Sequence, residues 1–144
     1  MSIWQSPRSL EDLNSNRSGT LIGHLGILFT EIGDDFVRGT MPVDARTVQP
    51  YGLLHGGASV ALAETLGSMG ASMSIADEYQ CVGQEINANH VRAARSGLVT
   101  GTARAVHLGG RTHVWSIEIV NEAQKLVCIS RLTVAIIKRG ALTP

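Results

Sequence analysis

Features that would point to several common functions are scarce in this sequence or missing from it. The 144 residues carry twelve basic and twelve acidic side chains, for a formal net charge of +0. Basic residues are scattered, so the chain has no overall attraction for nucleic acid and nucleic-acid binding is not expected. Aromatic residues make up only 4% of the chain. Its two cysteines, Cys81 and Cys128, lack the spacing of a metal site and lie in apolar segments, which predicts two buried free thiols.

Long apolar runs are also missing. No stretch approaches the ~20 apolar residues of a membrane-spanning helix, because Glu64 and several serines and glycines interrupt the most apolar segment, 58–76. The N-terminus lacks the basic and apolar regions of a signal peptide. His24, His107 and His113 form no group of metal ligands. We therefore expect a cytoplasmic protein that needs neither a membrane, a metal nor a redox cofactor.

The hydrophobic content of 44% and charged content of 17% are typical of a globular protein with a substantial core. No linker, repeat or low-complexity segment divides the chain, which predicts a single domain over residues 1–144. Ser9 is the predicted N-cap of a short helix that Gly19 closes. Alternating apolar residues, such as Trp115, Ile117 and Ile119, indicate strands. Strands are predicted at 21–32, 35–43, 80–92, 97–107, 112–120 and 125–137, with one long helix at 56–76.

This order predicts an α+β fold in which an antiparallel sheet surrounds one central helix. The helix is rich in small residues, which suits a position wrapped closely by a sheet. It begins at a glycine pair, Gly56-Gly57, after His55 and a turn that contains Pro50. Bare N–H groups at a helix start attract an electronegative atom, and a carboxylate such as Glu64 on an otherwise apolar helix is costly to bury without a purpose. Together they outline an acyl-transfer site.

Three motifs carry a family resemblance: Leu-Leu-His-Gly-Gly-Ala-Ser-Val-Ala-Leu-Ala-Glu at 53–64, Glu-Ile-Asn-Ala-Asn-His-Val-Arg at 85–92, and His-Leu-Gly-Gly-Arg at 107–111. They resemble the hotdog-fold acyl-CoA thioesterases, over about residues 3–137. The nearest branch includes the 1,4-dihydroxy-2-naphthoyl-CoA thioesterase of menaquinone synthesis and the proofreading thioesterase of enterobactin synthesis. The resemblance implies a hotdog fold whose subunits pair into a continuous sheet, and it favours an aromatic acyl group.

The resemblance also implies roles at the thioester. The Gly56 N–H would polarise the thioester oxygen, Gln49 would help to position the group, and His55 would orient it or help the thiolate leave. Glu64 would attack the carbonyl or deprotonate a water, and the sequence does not separate a nucleophile from a general base. Ser68, one turn beyond Glu64, would hydrogen-bond the carboxylate or the water.

Substrate-binding roles follow from the other two motifs. His90 would line the acyl pocket, and Arg92 belongs to the same strand motif. The turn Gly109-Gly110-Arg111 would meet the pantetheine arm or the nucleotide, because backbone N–H groups and a cation suit phosphate.

The spacing of His55 and Glu64 argues for a dimer. Nine residues correspond to about 13–14 Å along a helix and nearly half a rotation around it, so both side chains cannot reach one carbonyl from a single helix. A shared site then takes one residue from each of two subunits. We predict an obligate homodimer with two interface sites, and a dimer of dimers by analogy with the family.

Other interpretations remain open at this point. Glu64 could be a structural residue that faces water, and Arg92 and Arg95 could be solvated charges. The same fold would also suit three other functions: a hydratase or dehydratase that acts on acyl chains, a non-catalytic domain that senses acyl-CoA, and a structural module that only dimerises. The sequence does not identify the acyl group, nor does it decide between coenzyme A and an acyl carrier protein as the thiol carrier.

Overall fold

The structure, a computed structural model, describes residues 1–141. Six strands form one antiparallel sheet in the order β1-β2-β4-β5-β6-β3. One long helix, α3, packs against five of the six strands, which is the α+β hotdog architecture that the resemblance implies. The elements are α1 (Leu10–Asn14), α2 (Leu21–His24), β1 (Leu28–Ile32), β2 (Phe36–Pro42), α3 (Gly56–Met73), β3 (Tyr79–His90), β4 (Leu98–Leu108), β5 (Thr112–Val120) and β6 (Leu126–Lys138).

Small residues let α3 approach the sheet closely, as the sequence predicts. A Cβ atom on Gly70 would lie 2.6 Å from the indole ring of Trp115, and one on Gly67 would lie 2.8 Å from Leu132 Cδ2. Neither position accommodates a side chain without movement of its neighbour. The predicted alternation in β5 is confirmed, because Trp115, Ile117 and Ile119 are completely buried.

The predicted strand 21–32 is wrong over its first seven residues. Thr20 accepts a hydrogen bond from the Gly23 N–H and caps the short helix α2, and Gly26 then adopts a positive φ of 71° that interrupts extended backbone. The strand therefore begins only at Leu28. Short apolar runs suit a helix or a strand equally well, and here the N-cap decides for a helix.

Smaller differences concern helix ends. Ser9 is the N-cap of α1: its hydroxyl accepts the Asp12 N–H, and the Asp12 carboxylate accepts the Ser9 N–H. However, α1 ends at Asn14 rather than at Gly19. The long helix ends at Met73, three residues before the predicted end, because Ser74 caps it. Both cysteines are free, as predicted; Cys128 is buried and Cys81 only partly so. Burial raises the pKa of both thiols above the usual value.

Strand β3 forms an open edge of the sheet. Within residues 1–141 it pairs only with β6, it contains no lysine or proline, and most of its residues are exposed. Such an edge invites pairing with another strand. It also runs antiparallel to α3: the Tyr79 N–H bonds to Ala76 just beyond the end of the helix, whereas His90 lies against Gly56 at the start of the helix.

Candidate active site

The loop before α3 holds the helix start in a fixed position. Val48 and Leu54 form an isolated β-bridge, and the Leu54 N–H donates to Ala94 O at 2.7 Å. The His55 N–H donates to Thr47 O at 2.8 Å. Thr47 is itself buried, and its hydroxyl donates to Pro42 O at 2.7 Å. The entry to α3 is therefore anchored on both sides.

The first N–H groups of a helix have no partner within the helix, and here all but one find another. The His55 N–H bonds to Thr47, the Gly57 N–H donates to His55 Nδ1 at 2.8 Å, and the Ala58 N–H donates to His55 O at 3.0 Å. Within residues 1–141, the Gly56 N–H has no hydrogen-bond partner. The bare donor that the glycine pair predicts is thus a single group, not two.

His90 explains why position 56 is a glycine. A Cβ atom on Gly56 would lie 2.8 Å from His90 Nε2 and 3.1 Å from His90 Cε1. The imidazole therefore packs against the Cα of the residue that carries the free donor. Two residues predicted for the site, from separate motifs, are brought together here.

Gln49 lies in the tight turn that precedes His55 in the chain. Its N–H donates to Leu53 O at 2.8 Å, and its carbonyl accepts the Gly52 N–H at 2.9 Å. Its side-chain Oε1 accepts a hydrogen bond from the Tyr51 N–H. Tyr51 itself is exposed at the tip of the turn.

Glu64 lies on the side of α3 that faces away from the buried core positions. Its carboxylate is half-buried, and Oε1 is 2.8 Å from the point where a Cβ on Gly83 of β3 would lie. A cavity of about 320 Å³ beside it is lined by Ile22, Glu64, Thr65, Ser68 and Met69. Ser68 therefore borders the same space, although within residues 1–141 no hydrogen bond joins its hydroxyl to the carboxylate. Glu64 is about 12 Å further along the helix axis than Gly56.

The remaining predicted residues lie away from the start of α3 or are exposed to solvent. Arg92 is exposed and its Nε donates to Leu126 O at 3.3 Å. Gly109 and Gly110 line a cavity of about 300 Å³ together with Ser74 and Tyr79, beyond the C-terminal end of α3. An 18-residue helix is about 27 Å long, so within one protomer this turn and Arg111 are remote from His55.

Two contributors are missing from the sequence-based prediction. Thr47 anchors the His55 backbone, and Ile22 of α2 forms one wall of the cavity beside Glu64. Thr47 gives no signal because a loop threonine is normally a surface residue. The sequence does not identify Ile22 as a site residue, because the pattern at 21–32 predicts a strand. A strand would place Ile22 in the sheet rather than over the helix.

Across residues 1–141, no group of three or more His, Cys, Asp or Glu side chains is arranged to hold a metal ion. In the same range, no helix combines the length and the apolar character required to cross a bilayer.

Comparisons with known proteins identify the family of this chain. The family model described as thioesterase superfamily matches residues 51–128. The 1,4-dihydroxy-2-naphthoyl-CoA hydrolase of Escherichia coli (strain K12) is 53% identical over 135 residues, which is 94% of this chain and 99% of the relative. The proofreading thioesterase EntH of Cronobacter sakazakii is 50% identical over 135 residues, with 94% and 98% coverage. A thioesterase crystal structure from Haemophilus influenzae superimposes with a TM-score of 0.95 at 46% identity, covering 99% of both chains.

Proposed function

The chain belongs to the thioesterase superfamily, as an acyl-CoA thioester hydrolase, and we propose that it hydrolyses aromatic acyl-CoA thioesters with Glu64 as the reacting carboxylate. The acyl group is of the hydroxybenzoyl or dihydroxynaphthoyl type, and the products are the free acid and coenzyme A. One observation carries the proposal: within residues 1–141 the Gly56 N–H at the start of α3 has no hydrogen-bond partner, and it directly follows His55, whose side chain caps the helix.

The Gly56 N–H polarises the thioester carbonyl. It lies at the positive end of an 18-residue helix, where a free N–H stabilises an oxygen that gains negative charge in the tetrahedral intermediate. A single preorganised donor of this kind contributes about 10²–10³ in rate in other acyl-transfer enzymes. His90 packs against Gly56 and lies next to the acyl group.

Glu64 supplies the base or the nucleophile. As a base, its carboxylate takes a proton from water while the water oxygen bonds to the carbonyl carbon, and the C–S bond then breaks with its electron pair on sulfur. As a nucleophile, its carboxylate attacks the carbonyl carbon and the C–S bond breaks to release the thiolate; water then hydrolyses the resulting anhydride to the free acid and restores the carboxylate. Ser68 lines the same cavity and lies one turn away, where its hydroxyl can hold the water.

The two halves of the site come from two subunits. Within one chain, Glu64 lies beside Gly83 of β3 and Gly56 lies beside His90 of the same strand. If two β3 edges pair antiparallel with Gly83 opposite Asn89, the partner's Glu64 approaches Gly56 of the first protomer. That register places the two-fold axis at Ile86, midway between them. The same axis moves the Gly109-Gly110-Arg111 turn of the partner toward the site, where it meets the pantetheine arm or the nucleotide together with Arg92.

The choice of acyl group rests on the relatives and on the cavity. One relative is named for a dihydroxynaphthoyl-CoA substrate, and the cavity of about 320 Å³ beside Glu64 has the size of a small-molecule pocket. Its lining combines apolar side chains, Ile22 and Met69, with the hydroxyls of Thr65 and Ser68, which suits a hydroxylated ring. The other relative, a proofreading thioesterase, supports a second candidate: release of misloaded acyl groups from a carrier protein.

The decisive experiment measures thiol release from a panel of aromatic and aliphatic acyl-CoAs by the wild type, Glu64→Gln and Glu118→Gln. Glu118 is exposed in the sheet, away from α3, and is the matched control. We expect fast release from an aromatic member by the wild type and by Glu118→Gln, and a loss of orders of magnitude in Glu64→Gln. Near-normal turnover by Glu64→Gln would contradict the role of the carboxylate. Release from carrier-bound acyl groups alone favours the second candidate, and tight binding without release indicates a non-catalytic acyl-CoA-binding domain.

Mixed dimers test the shared site. Glu64→Gln and His55→Ala chains are each inactive in this mechanism, but a dimer of one with the other contains one intact site. Activity should therefore reappear after subunit exchange. No recovery, with exchange verified by mass spectrometry, would contradict a site that takes His55 from one subunit and Glu64 from the other.

Cross-linking tests the register of β3. In a background in which both native cysteines are serine, Ile86→Cys should form a disulfide-linked dimer, because the two copies of this residue face each other at the axis. Val82→Cys is the control, since its copies are far apart in this register. A linked dimer only for Val82→Cys contradicts the register.

A further inference from the structure

The structure assigns a fixed hydrogen-bonding polarity to Gln49 and His55: both side chains present only N–H donors to the substrate. The inference rests on the proposed function and specifies which groups at the site can accept a proton. It follows from a feature that the two residues share, namely that each side-chain acceptor is occupied by the backbone N–H two residues further along the chain.

For His55, the cap of α3 determines the tautomer. Its Nδ1 lies 2.8 Å from the Gly57 nitrogen, and a backbone N–H can only donate, so Nδ1 must carry its lone pair. A neutral imidazole has one N–H, which is then on Nε2. The N-cap bond thus holds His55 in the tautomer whose Nε2 carries the proton. The backbone bond from the His55 N–H to Thr47 O fixes the position of the His55 backbone.

The same reasoning applies to Gln49. Its Oε1 accepts the Tyr51 N–H, so the amide oxygen is directed inward and the NH₂ group is left for the substrate. The turn that imposes this is closed by two backbone bonds, from Gln49 to Leu53 and from Gly52 to Gln49. The assignment of oxygen and nitrogen follows from the chemistry of the partner, because a backbone N–H cannot pair with the NH₂ group.

Three donors are therefore available to the thioester at the start of α3: the Gly56 N–H, the His55 Nε2–H and the Gln49 NH₂. They select an acceptor, such as a carbonyl or an oxyanion. His55 cannot act as the base, because its only lone pair is bound to the Gly57 N–H. Nor does it protonate the leaving group, since loss of the Nε2 proton would leave an imidazolate. The proton of the attacking water goes to Glu64, and coenzyme A leaves as a thiolate.

Nuclear magnetic resonance reads the tautomer directly. In protein labelled with ¹⁵N-histidine, two-bond ¹H–¹⁵N correlations distinguish a protonated from an unprotonated ring nitrogen. The His55 signals are identified by their loss in His55→Asn. We expect an unprotonated Nδ1 and a protonated Nε2 at neutral pH. A protonated Nδ1, or an exchanging mixture, overturns the inference. This readout does not depend on activity, so it separates a failure of the inference from a failure of the proposed function.

Two matched substitutions at His55 test the donor in catalysis. Asn and Asp are both good N-caps and should give equal thermal stability, but only Asn presents a donor. We expect His55→Asn to retain at least about tenfold more kcat/KM than His55→Asp, and both to fall below the wild type because their side chains are shorter. Equal activity, or the reverse order, overturns the role.

A second pair tests Gln49. Gln49→Glu keeps the acceptor for the Tyr51 N–H but turns the outward NH₂ into a carboxylate oxygen, whereas Gln49→Ala removes the group. We expect the kcat of Gln49→Glu to fall at least about tenfold below that of Gln49→Ala, because the added charge faces the developing oxyanion. If Gln49→Glu is as active as Gln49→Ala or more so, the donor assignment is wrong.

Discussion

The two ends of α3 are treated differently by the rest of the chain. At the C-terminal end, the N-terminal segment donates to two carbonyls: Met73 O accepts the N–H groups of Gln5 and Ser6 at 2.8 and 3.0 Å, and Ser74 O accepts a hydrogen bond from Gln5 Nε2 at 2.9 Å. At the N-terminal end, every early donor except the Gly56 N–H has a partner within residues 1–141. An unpaired backbone group has a cost, so this difference supports the proposal that the N-terminal end is kept open for a ligand.

The largest expected effect comes from removing the open donor. Gly56→Pro lacks the N–H, and proline suits the first helical position because His55 already has extended backbone, with φ −68° and ψ 131°. Gly56→Ala is the control, since it brings the same Cβ toward His90 but keeps the N–H. We expect kcat for Gly56→Pro to fall about 10²–10³-fold below that of Gly56→Ala. Equal steady-state rates for the two variants would argue against a role for this donor.

The middle of the helix should respond in stability rather than in activity. In Gly70→Ala, the new Cβ meets the completely buried Trp115 ring at 2.6 Å, so the overpacking outweighs the better helix propensity of alanine. We expect a loss of about 1–3 kcal/mol in the free energy of unfolding, measured with urea. Gly67→Ala should lose less, because its new neighbour is the mobile end of Leu132. A stabilised Gly70→Ala would contradict the packing argument.

The closed end should be less sensitive. Gln5→Ala removes the side-chain bond to Ser74 O and should lower the free energy of unfolding by about 0.5–1.5 kcal/mol. Thioester hydrolysis per folded molecule should not change. A fall in kcat at full folding would show that the two ends are coupled and that the comparison is too simple.

The smallest expected effect concerns the pH dependence of stability and His113, which lies beyond the C-terminal end of α3. Burial, with a further contribution from His107, lowers the pKa of His113 below its usual value, and its Nδ1 has no partner within residues 1–141. The unfolded chain therefore binds the proton first as the pH falls below about 6.5. Stability is at its full value above that pH and declines below it. In urea titrations between pH 7.5 and 5, His113→Phe should show a shallower decline than the wild type; an identical slope would remove His113 as the cause.

Sequence patterns predicted most of the fold because they are repetitive. The small residues of α3 and the alternation in β5 are enforced over many positions by the same core, and both are confirmed. The segment 21–27 failed because a short apolar run contains too few positions to distinguish a helix from a strand, and a single cap at Thr20 decided it. At the site, motifs identified Gly56 and His90 separately, but their contact depends on how β3 lies across the helix start.

The sequence by itself determined which groups are available: a glycine at a helix start, a histidine before it and a carboxylate on the same helix. These follow from local rules about caps, turns and spacing. Only the tertiary structure decided which of them are free. The His55 N–H is occupied by Thr47 and the Leu54 N–H by Ala94, whereas within residues 1–141 the Gly56 N–H has no partner. Ile22 reaches the cavity of Glu64 from another helix. Hydrogen bonds are satisfied in three dimensions, so the residual donor that defines the site becomes visible only when every other one has been paired.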